Sequence, residues 1–486
     1  MRDGSAYLEA LRDSRTVFLH GEQVEDVTRH PAFTGITRSI AKLYDVSADP
    51  ANGMQFTTDS GAGVANKVFM IPRSRDDLVE RRLAISRWAA LSHGFIGRSP
   101  DHVGGFLAGF AGAADLFDRD GRAFGSNVTN FYRRLLEEDL FVSYVIVPPQ
   151  MDREKATREW DDEFLQVGVA EEREDGIVVR GAQMLGTSSA VSDYLYVSCI
   201  KPLRFDEEAY ALAFVTPLAA EGVRLLCRRP YGSDQPSGFD YPMSTRFDET
   251  DALVVFDDVL VPWEHVFVYR DVELTRDQWH VTAAHSLGNN QAQIRLIAKM
   301  QFIVGVARRI VEVNGIERIP SVREKLADLA SLAGTVEGMV LASEAAAIID
   351  EHGVARPHPR FLYGAMGLQD EIYPRALHLL RVLVGAGVVQ VPSSLHDLTS
   401  PRTGPYVERY GRSPGISAQE RIKLFKLAWD VIGSEFAGRH YQYEMFYAGA
   451  PFVAKGYVYD NYGFDEPVRD VEDFLASYSA ADPDGF

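Results

Sequence analysis

Apolar positions along the chain repeat with two different periods, and the change of period divides it into zones. In roughly residues 1–140, Leu78, Ile85, Trp88 and Ala89 recur near helical spacing after Ser74-Arg75-Asp76-Asp77, with Arg82 the polar exception. Ser74 suits a helix N-cap, and the two aspartates suit a first turn whose N–H groups lack partners and whose dipole end is positive. This zone is predicted to be mainly helical. From roughly 141 to 270, short runs rich in β-branched and aromatic residues take over: Phe141 to Val147, Ile177-Val178-Val179, Tyr194 to Ile200, Ala211 to Val215, Val223 to Cys227 and Leu253 to Val261. Asp175-Gly176 and Glu221-Gly222 mark turns between them. Strands that follow one another without helices predict an antiparallel sheet or barrel rather than a Rossmann unit.

Helical spacing returns over roughly 271–450. Ser321-Val322-Arg323-Glu324 and Ser417-Ala418-Gln419-Glu420 both fit a capping box, in which each end residue satisfies an N–H of the other. Leu326, Leu329, Ala333, Val336 and Val340 follow the first; Ile422, Phe425, Trp429 and Ile432 follow the second. Such seams suit a helix bundle and a contact with another subunit. The tail, 451–486, is aromatic and acidic and carries no readable period. The α+β order, an N-terminal helical domain, a central antiparallel β-barrel or sheet domain and a C-terminal helix bundle, is similar to the acyl-CoA dehydrogenase fold. Phe256-Asp257-Asp258 followed by Val259-Leu260-Val261-Pro262 resembles the run that closes the β domain there.

Composition narrows the function. The 486 residues, 46% of them apolar, suffice for two to four structural units or one large layered domain. No run of 18 or more consecutive apolar residues occurs and Met1 to Ser5 lead into no apolar signal core, so the expectation is a cytoplasmic chain outside the membrane. Two cysteines, Cys199 and Cys227, are too few for a four-thiolate zinc site or an iron–sulfur cluster. A formal net charge of −19 without a basic run argues against nucleic acid. HExxH, CxxC, Walker A and GxSxG patterns are all missing, and Gly385-Ala386-Gly387 lacks the third glycine of a dinucleotide loop. A metal site, a serine nucleophile and a Rossmann-bound NAD are therefore not expected.

The remaining motifs carry the chemistry. Asp26-Val27-Thr28-Arg29-His30-Pro31-Ala32-Phe33, Gly97-Arg98-Ser99-Pro100-Asp101, Val147 to Arg153, Gly181 to Ala190, Tyr241 to Trp263, and Trp429 to Phe436 with Gly438-Arg439-His440 occur in this order. The chain resembles the 4-hydroxyphenylacetate 3-hydroxylase family, the oxygenase component of two-component flavin-dependent monooxygenases. The resemblance implies FAD, delivered as FADH2 by a separate NAD(P)H-flavin reductase, and O2 as co-substrate. It also implies ortho-hydroxylation of a phenol through a flavin C4a-hydroperoxide, in a homotetramer or homodimer. The substrate would be a 4-hydroxyphenyl acid, a tyrosine derivative, a halogenated phenol or a tyrosyl unit tethered to a carrier protein.

Such chemistry needs a dry pocket and an electron-rich ring. A phenol has a pKa of about 10, and a fixed cation favours the phenolate. Arg98 is the expected cation. In the family an arginine, a tyrosine and a histidine surround the phenol oxygen. They fall here on Arg98, His102 and Tyr144, with the last two residue types exchanged. His102 is expected to take the phenol proton, because an unperturbed imidazole titrates near neutrality, and Tyr144 to orient the ring. His285 is a rival base. The resemblance places Gln150, Met151, Asp152 and Arg153 on the flavin after the Val147-Pro148-Pro149 turn. It sets Thr187 near flavin N5, with Ser189 in the same turn. Arg246, Gly433 and the stretch to His440 would reach the pyrophosphate or adenine, and Ala448 and Gly449 a further part of the flavin. Ser198 and Cys199 would line the substrate pocket under a loop from Tyr231 to Phe239. The alternatives are a flavin dehydratase of the 4-hydroxybutyryl-CoA type or a dehydrogenase on the same fold, and a non-catalytic flavin-binding scaffold.

Overall fold

The computed structural model describes residues 1–58, 63–119, 121–150, 152, 154–232 and 237–478. Two open sheets stand between helical layers. The larger runs, in order, through Glu22–Val24, Thr16–Leu19, Val223–Cys227, Ala252–Pro262, Gly176–Gln183 and Gly168–Glu172. The smaller runs through Val266–Tyr269, Leu212–Pro217, Tyr194–Val197 and Val142–Val145. Two pairings correct the all-antiparallel expectation: Thr16–Leu19 lies parallel to Val223–Cys227, and Val142–Val145 parallel to Tyr194–Val197. The hairpin at Thr16–Val24 comes from the helical zone and is too short for a period to reveal it. No closed barrel forms among the described residues. At Asp257-Asp258 the register shifts, with Asp258 at φ 55°, and this bulge breaks the alternation of the long strand.

Ser74 caps the Arg75–Leu91 helix in a reciprocal box with Asp77, and Ser417 does the same with Glu420 for Ala418–Ile432. The box expected at Ser321 is not made. That helix, Pro320–Ala345, begins two residues earlier, with Ile319 as its N-cap, because Pro320 has its φ fixed at a helical value and no N–H to orphan. It alone among the described residues is long and apolar enough to cross a membrane. Leu329, Ala333, Val336 and Val340 are nevertheless buried as it packs on the Ala284–Val313 and Pro359–Val384 helices. Gly385 ends the Pro359–Val384 helix at φ 62°, the expected break. The tail forms two helices: Pro451–Asn461 packs on Pro359–Val384, and Asp465–Ala476 buries no residue.

The Pro100–Gly112 helix positions the site. Its first eleven residues, through Phe110, are all buried. It lies so close to the start of the Ala284–Val313 helix that a Cβ on Gly109 would stand 2.2 Å from the Ala284 nitrogen. The neighbour is backbone and cannot yield by a side-chain rotation. Gly109→Ala should therefore destabilise the protein by about 1–3 kcal/mol or more through overpacking. A lower urea midpoint with little change in slope would register the loss.

Candidate active site

Arg98 ends a loop that leaves the Arg75–Leu91 helix and enters Pro100–Gly112. Two glycines let this loop thread a crowded space. Gly94 has φ +74°, with the Arg295 carbonyl and the Lys299 nitrogen where a Cβ would go, and Gly97 faces the Tyr443 ring. The Arg98 N–H donates to Glu249 Oε1 at 2.5 Å. Its guanidinium donates to His102 Nε2 through Nη1 and to the Tyr447 carbonyl through Nη2, the latter at 3.2 Å. It also lies 5.1 Å from the Tyr144 ring centre and 5.2 Å from that of Tyr443. Burial opposes the charge, yet the surroundings, Glu249 among them, keep the Arg98 pKa above the ordinary arginine value.

An arginine only donates, so His102 Nε2 accepts and its proton sits on Nδ1, assigned from the network. Nδ1 then donates to Gln291 Oε1 at 3.1 Å, and Gln291 Nε2 donates to Asp101 Oδ1 at 3.0 Å and to Ser99 Oγ at 3.3 Å. Burial raises Asp101 to about 6. His102 and Tyr144 lie 5.6 Å apart between ring centres, and Phe106 closes the apolar side of both. The arginine and histidine of one segment and the tyrosine of another thus converge. The reason given for His102 as a proton acceptor needs correction. Burial first, then the Arg98 charge, drive its pKa well below the ordinary histidine value.

A second group lies on the β domain. The turn at 185–188 carries Leu185 and Ser188 at positive φ and is tied down by Ser189 Oγ, which donates to the Gly186 carbonyl at 2.7 Å. Thr187 Oγ1 donates to Asp251 Oδ1 at 2.6 Å. Asp251 accepts from Arg439 Nη2 at 2.7 Å and from Arg228 Nε at 2.8 Å. Burial alone would raise Asp251, but Arg439 and Arg228 hold it far below the usual carboxylate range. Arg439 Nη1 donates to Glu249 Oε2 at 3.1 Å, so one guanidinium joins the acid holding the Arg98 backbone to the acid holding Thr187.

Beneath Tyr443 lies a third buried group. Arg295 grips Glu444 with two hydrogen bonds at 2.8 Å, and Lys299 adds a third at 2.5 Å. Burial and then Arg295 press Lys299 down to about 7, against the pull of Glu444. Burial would raise Glu444, but Arg295 and Lys299 hold it at about 2.

The other predicted residues fall into three sets. Gln150 and Asp152 are exposed beyond Val147, whose carbonyl accepts from Met184 N–H, so this segment borders the Thr187 turn. Met151 and Arg153 lie outside the described residues, as do residues 233–236 of the Tyr231–Phe239 loop. Ala448 is half-buried and Gly449, at φ +98°, is exposed; both directly follow Tyr447, the carbonyl partner of Arg98. The remaining calls stand apart from the guanidinium. Ser198 Oγ accepts from Gln278, and Cys199 meets Gln166 and the Lys201 carbonyl, while burial pushes its thiol up to about 11 against those contacts. Arg246 is spent on the Pro242 carbonyl, and Gly433 sits against the Trp429 ring at a helix junction. His285 is buried against Tyr363, His280 and Tyr457. Glu249, Asp251, Arg439, Gln291 and Tyr443 were not singled out. The acid pair at 249 and 251 and the arginine in Gly438-Arg439-His440 were visible in matching stretches, but their partnership spans 190 residues. Two surface hollows of about 570 and 600 Å³, beside Asp193 and beside Trp263, share no lining residue with the Arg98 group.

Helical domains flanking paired sheets, with a buried arginine where they meet, define an α+β protein whose site is assembled from every zone. Matches to known proteins agree with that class. The 4-hydroxyphenylacetate 3-hydroxylase N-terminal profile matches residues 3–268 and the C-terminal profile residues 275–476. The chain belongs to the 4-hydroxyphenylacetate 3-hydroxylase family. It is 36% identical to the (3S)-3-amino-3-(3-chloro-4-hydroxyphenyl)propanoyl-[peptidyl-carrier protein SgcC2] monooxygenase of Streptomyces globisporus, over 92% of this chain and 84% of that one. It is 35% identical to the 4-hydroxyphenylacetate 3-monooxygenase oxygenase component of Thermus thermophilus, over 96% of each. A solved oxygenase component (HpaB), complexed with FAD and 4-hydroxyphenylacetate, superposes with a TM-score of 0.93 at 33% identity over 98% of both chains. A 4-hydroxybutyryl-CoA dehydratase from N. maritimus, at 19% identity and TM-score 0.90, shares the fold.

Burial lowers several histidines, among them His102 and His440 near the site and His285 apart from it, the last to about 3. Each is neutral in the folded chain and titrates near 6.5 when unfolded. Their stabilisation is therefore complete above about pH 6.5 and is lost as pH falls below it, at up to about 1.4 kcal/mol per pH unit for each. His285→Gln should flatten the fall in unfolding free energy between pH 6.5 and 5 by about one proton's worth. Urea titrations across that range measure the slope.

Proposed function

We propose that this protein ortho-hydroxylates a phenolic substrate with reduced FAD and O2, as the oxygenase component of a two-component monooxygenase. The observation that carries this reading is the Arg98 guanidinium, buried against His102 and Tyr144 and tied through Glu249 and Arg439 to Asp251 and Thr187. The residues present fit a flavin. Ser188 Oγ, Thr250 Oγ1 and Gln183 Oε1 are buried around the Thr187 turn with no hydrogen-bond partner among the described residues. They supply polar contacts of the kind an isoalloxazine edge requires. When bound, reduced FAD supplies the activation of dioxygen and delivers one of its atoms to the ring.

The chain does the rest. Arg98 holds a positive charge beside the phenol oxygen and lowers the cost of the phenolate. His102, kept neutral, accepts from Arg98 through Nε2 and so aims the guanidinium, and Gln291 fixes that tautomer. Tyr144 and Phe106 wall the ring and exclude water. The substrate class is a 4-hydroxyphenyl acid, a tyrosine derivative or a tyrosyl unit on a carrier protein. A separate NAD(P)H-dependent reductase would supply the flavin in the cytoplasm. Ile319, Leu341, Ile348 and Ile349 stay exposed on and beside the Pro320–Ala345 helix, which supports a homodimer or homotetramer. The dehydratase reading is disfavoured because two cysteines are too few for its cluster.

Arg98→Ala should lower catechol formation by about a hundredfold or more while flavin binding persists. Anaerobic mixing with reduced FAD, then oxygen and a phenol panel, gives both quantities; undiminished catechol would remove Arg98 from the mechanism. Thr187→Ala should divert reduced FAD from catechol to hydrogen peroxide, read as the ratio of the two products.

A further inference from the structure

Ser99 stands at the N-cap of the Pro100–Gly112 helix, yet its side chain makes no capping bond. Its hydroxyl donates instead to Asp101 Oδ1 at 2.5 Å, which leaves its lone pairs to Gln291. Gln291 therefore meets two acceptors on one edge, Asp101 Oδ1 at 3.0 Å and Ser99 Oγ at 3.3 Å, and only the NH2 end of the amide fits there. The carbonyl end is left to His102 Nδ1 at 3.1 Å, which must then carry the hydrogen. Nε2 turns a lone pair to Arg98 Nη1, a group that only donates. Each bond takes its direction from the one before it, and the series begins at a carboxylate.

We propose that Asp101 is a positioning residue for Arg98: its charge, passed through Gln291, fixes the tautomer of His102 and the aim of the guanidinium, and a proton on Asp101 reverses the series. This rests on reading Arg98 as the cation beside the phenol oxygen. A protonated Asp101 is a donor and turns its O–H on Gln291. The amide then turns over, its NH2 meets Nδ1, and the imidazole carries its hydrogen on Nε2, donor against donor with Arg98. Arg81 faces Asp101 from the Arg75–Leu91 helix, and Tyr132 and Glu344 act on Arg81 in turn. The Ala284–Val313 helix brings Gln291 to Asp101 and the Arg295 charge to His102. Burial, opposed by the Ser99 and Gln291 bonds and by Arg81, raises the Asp101 carboxyl to about 6, whereas His102 titrates far lower. Activity is then complete above that point and is lost as pH falls through it.

The test follows catechol formation from about pH 5.5 to 8 in wild type, Ser99→Ala and Asp101→Asn, with flavin binding and circular dichroism measured on the same samples. Wild-type turnover should fall as one proton binds, with a midpoint at about pH 6. Ser99→Ala takes a donor from the ionised carboxyl and should raise that midpoint by about one unit. Asp101→Asn should abolish the midpoint and hold turnover about tenfold or more below the wild-type plateau while flavin still binds. Ionisation of substrate or flavin is common to all three proteins, so the displacement is what counts. An unmoved midpoint in Ser99→Ala overturns the proposal, as does an Asp101→Asn protein that keeps either the midpoint or the wild-type rate. Should Asp101→Asn fail to fold, Ser99→Ala decides alone, since its midpoint falls at about pH 7, above the range in which the buried histidines take up protons. A wild type that forms no catechol at any pH overturns the Arg98 reading and this inference together; catechol with a midpoint that Ser99→Ala leaves in place overturns the inference only.

Discussion

The structure hinges on what Arg439 does with its two hydrogen-bonding edges. It leaves the Glu435–Phe446 helix and grips Glu249 and Asp251, two residues apart where the chain enters the Ala252–Pro262 strand. Glu249 holds the backbone of Arg98, and Asp251 holds the hydroxyl of Thr187. Loss of one member of such a buried pair leaves the other uncompensated, at about 3–5 kcal/mol. A well-packed apolar substitute would serve stability as well. What the ionic arrangement adds is registry, because it sets an arginine from the helical layer and a threonine from the sheet at a fixed relation.

Around that bridge the helical layers are locked from both sides. Glu444 on the same helix takes Arg295 and Lys299 from the Ala284–Val313 helix, and Gln291 of the latter steadies His102. Arg295 also donates to the Gly94 carbonyl at 2.7 Å, which ties down the loop that delivers Arg98. Backbone and side chain of Arg98 are thus fixed jointly by His102 and Tyr144 nearby and by Glu249, Tyr443 and Tyr447 from the C-terminal half. Preorganisation of this kind is what a charge-stabilising group needs, since none of the ordering is left for the moment of reaction.

Much of this was legible in the chain. Helical spacing after Ser74 and Ser417, the strand runs and the turns at Asp175-Gly176 and Glu221-Gly222 all correspond to formed elements, because each is specified by local chemistry. Arg98, His102 and Tyr144 were found through motif resemblance, and the fold brings them to one point. The parallel pairings were not readable, because strand direction depends on the course of the intervening chain and leaves no mark on alternation. The near-neutral titration expected of His102 failed for a related reason: sequence spacing announces the imidazole but not the burial or the guanidinium at its Nε2. Arg439 escaped because a partner 190 residues away cannot be recognised from spacing.

The carbonyl that Arg98 grips belongs to Tyr447, 349 positions downstream, and the acid that holds its backbone is 151 downstream. A growing chain on the ribosome therefore carries the guanidinium long before it has anything to hold it. Until the last helical layer docks, the half-made protein has no ordered oxygen-handling centre. Chemical competence then arrives together with structural completion, when Tyr447 and Glu249 close on Arg98.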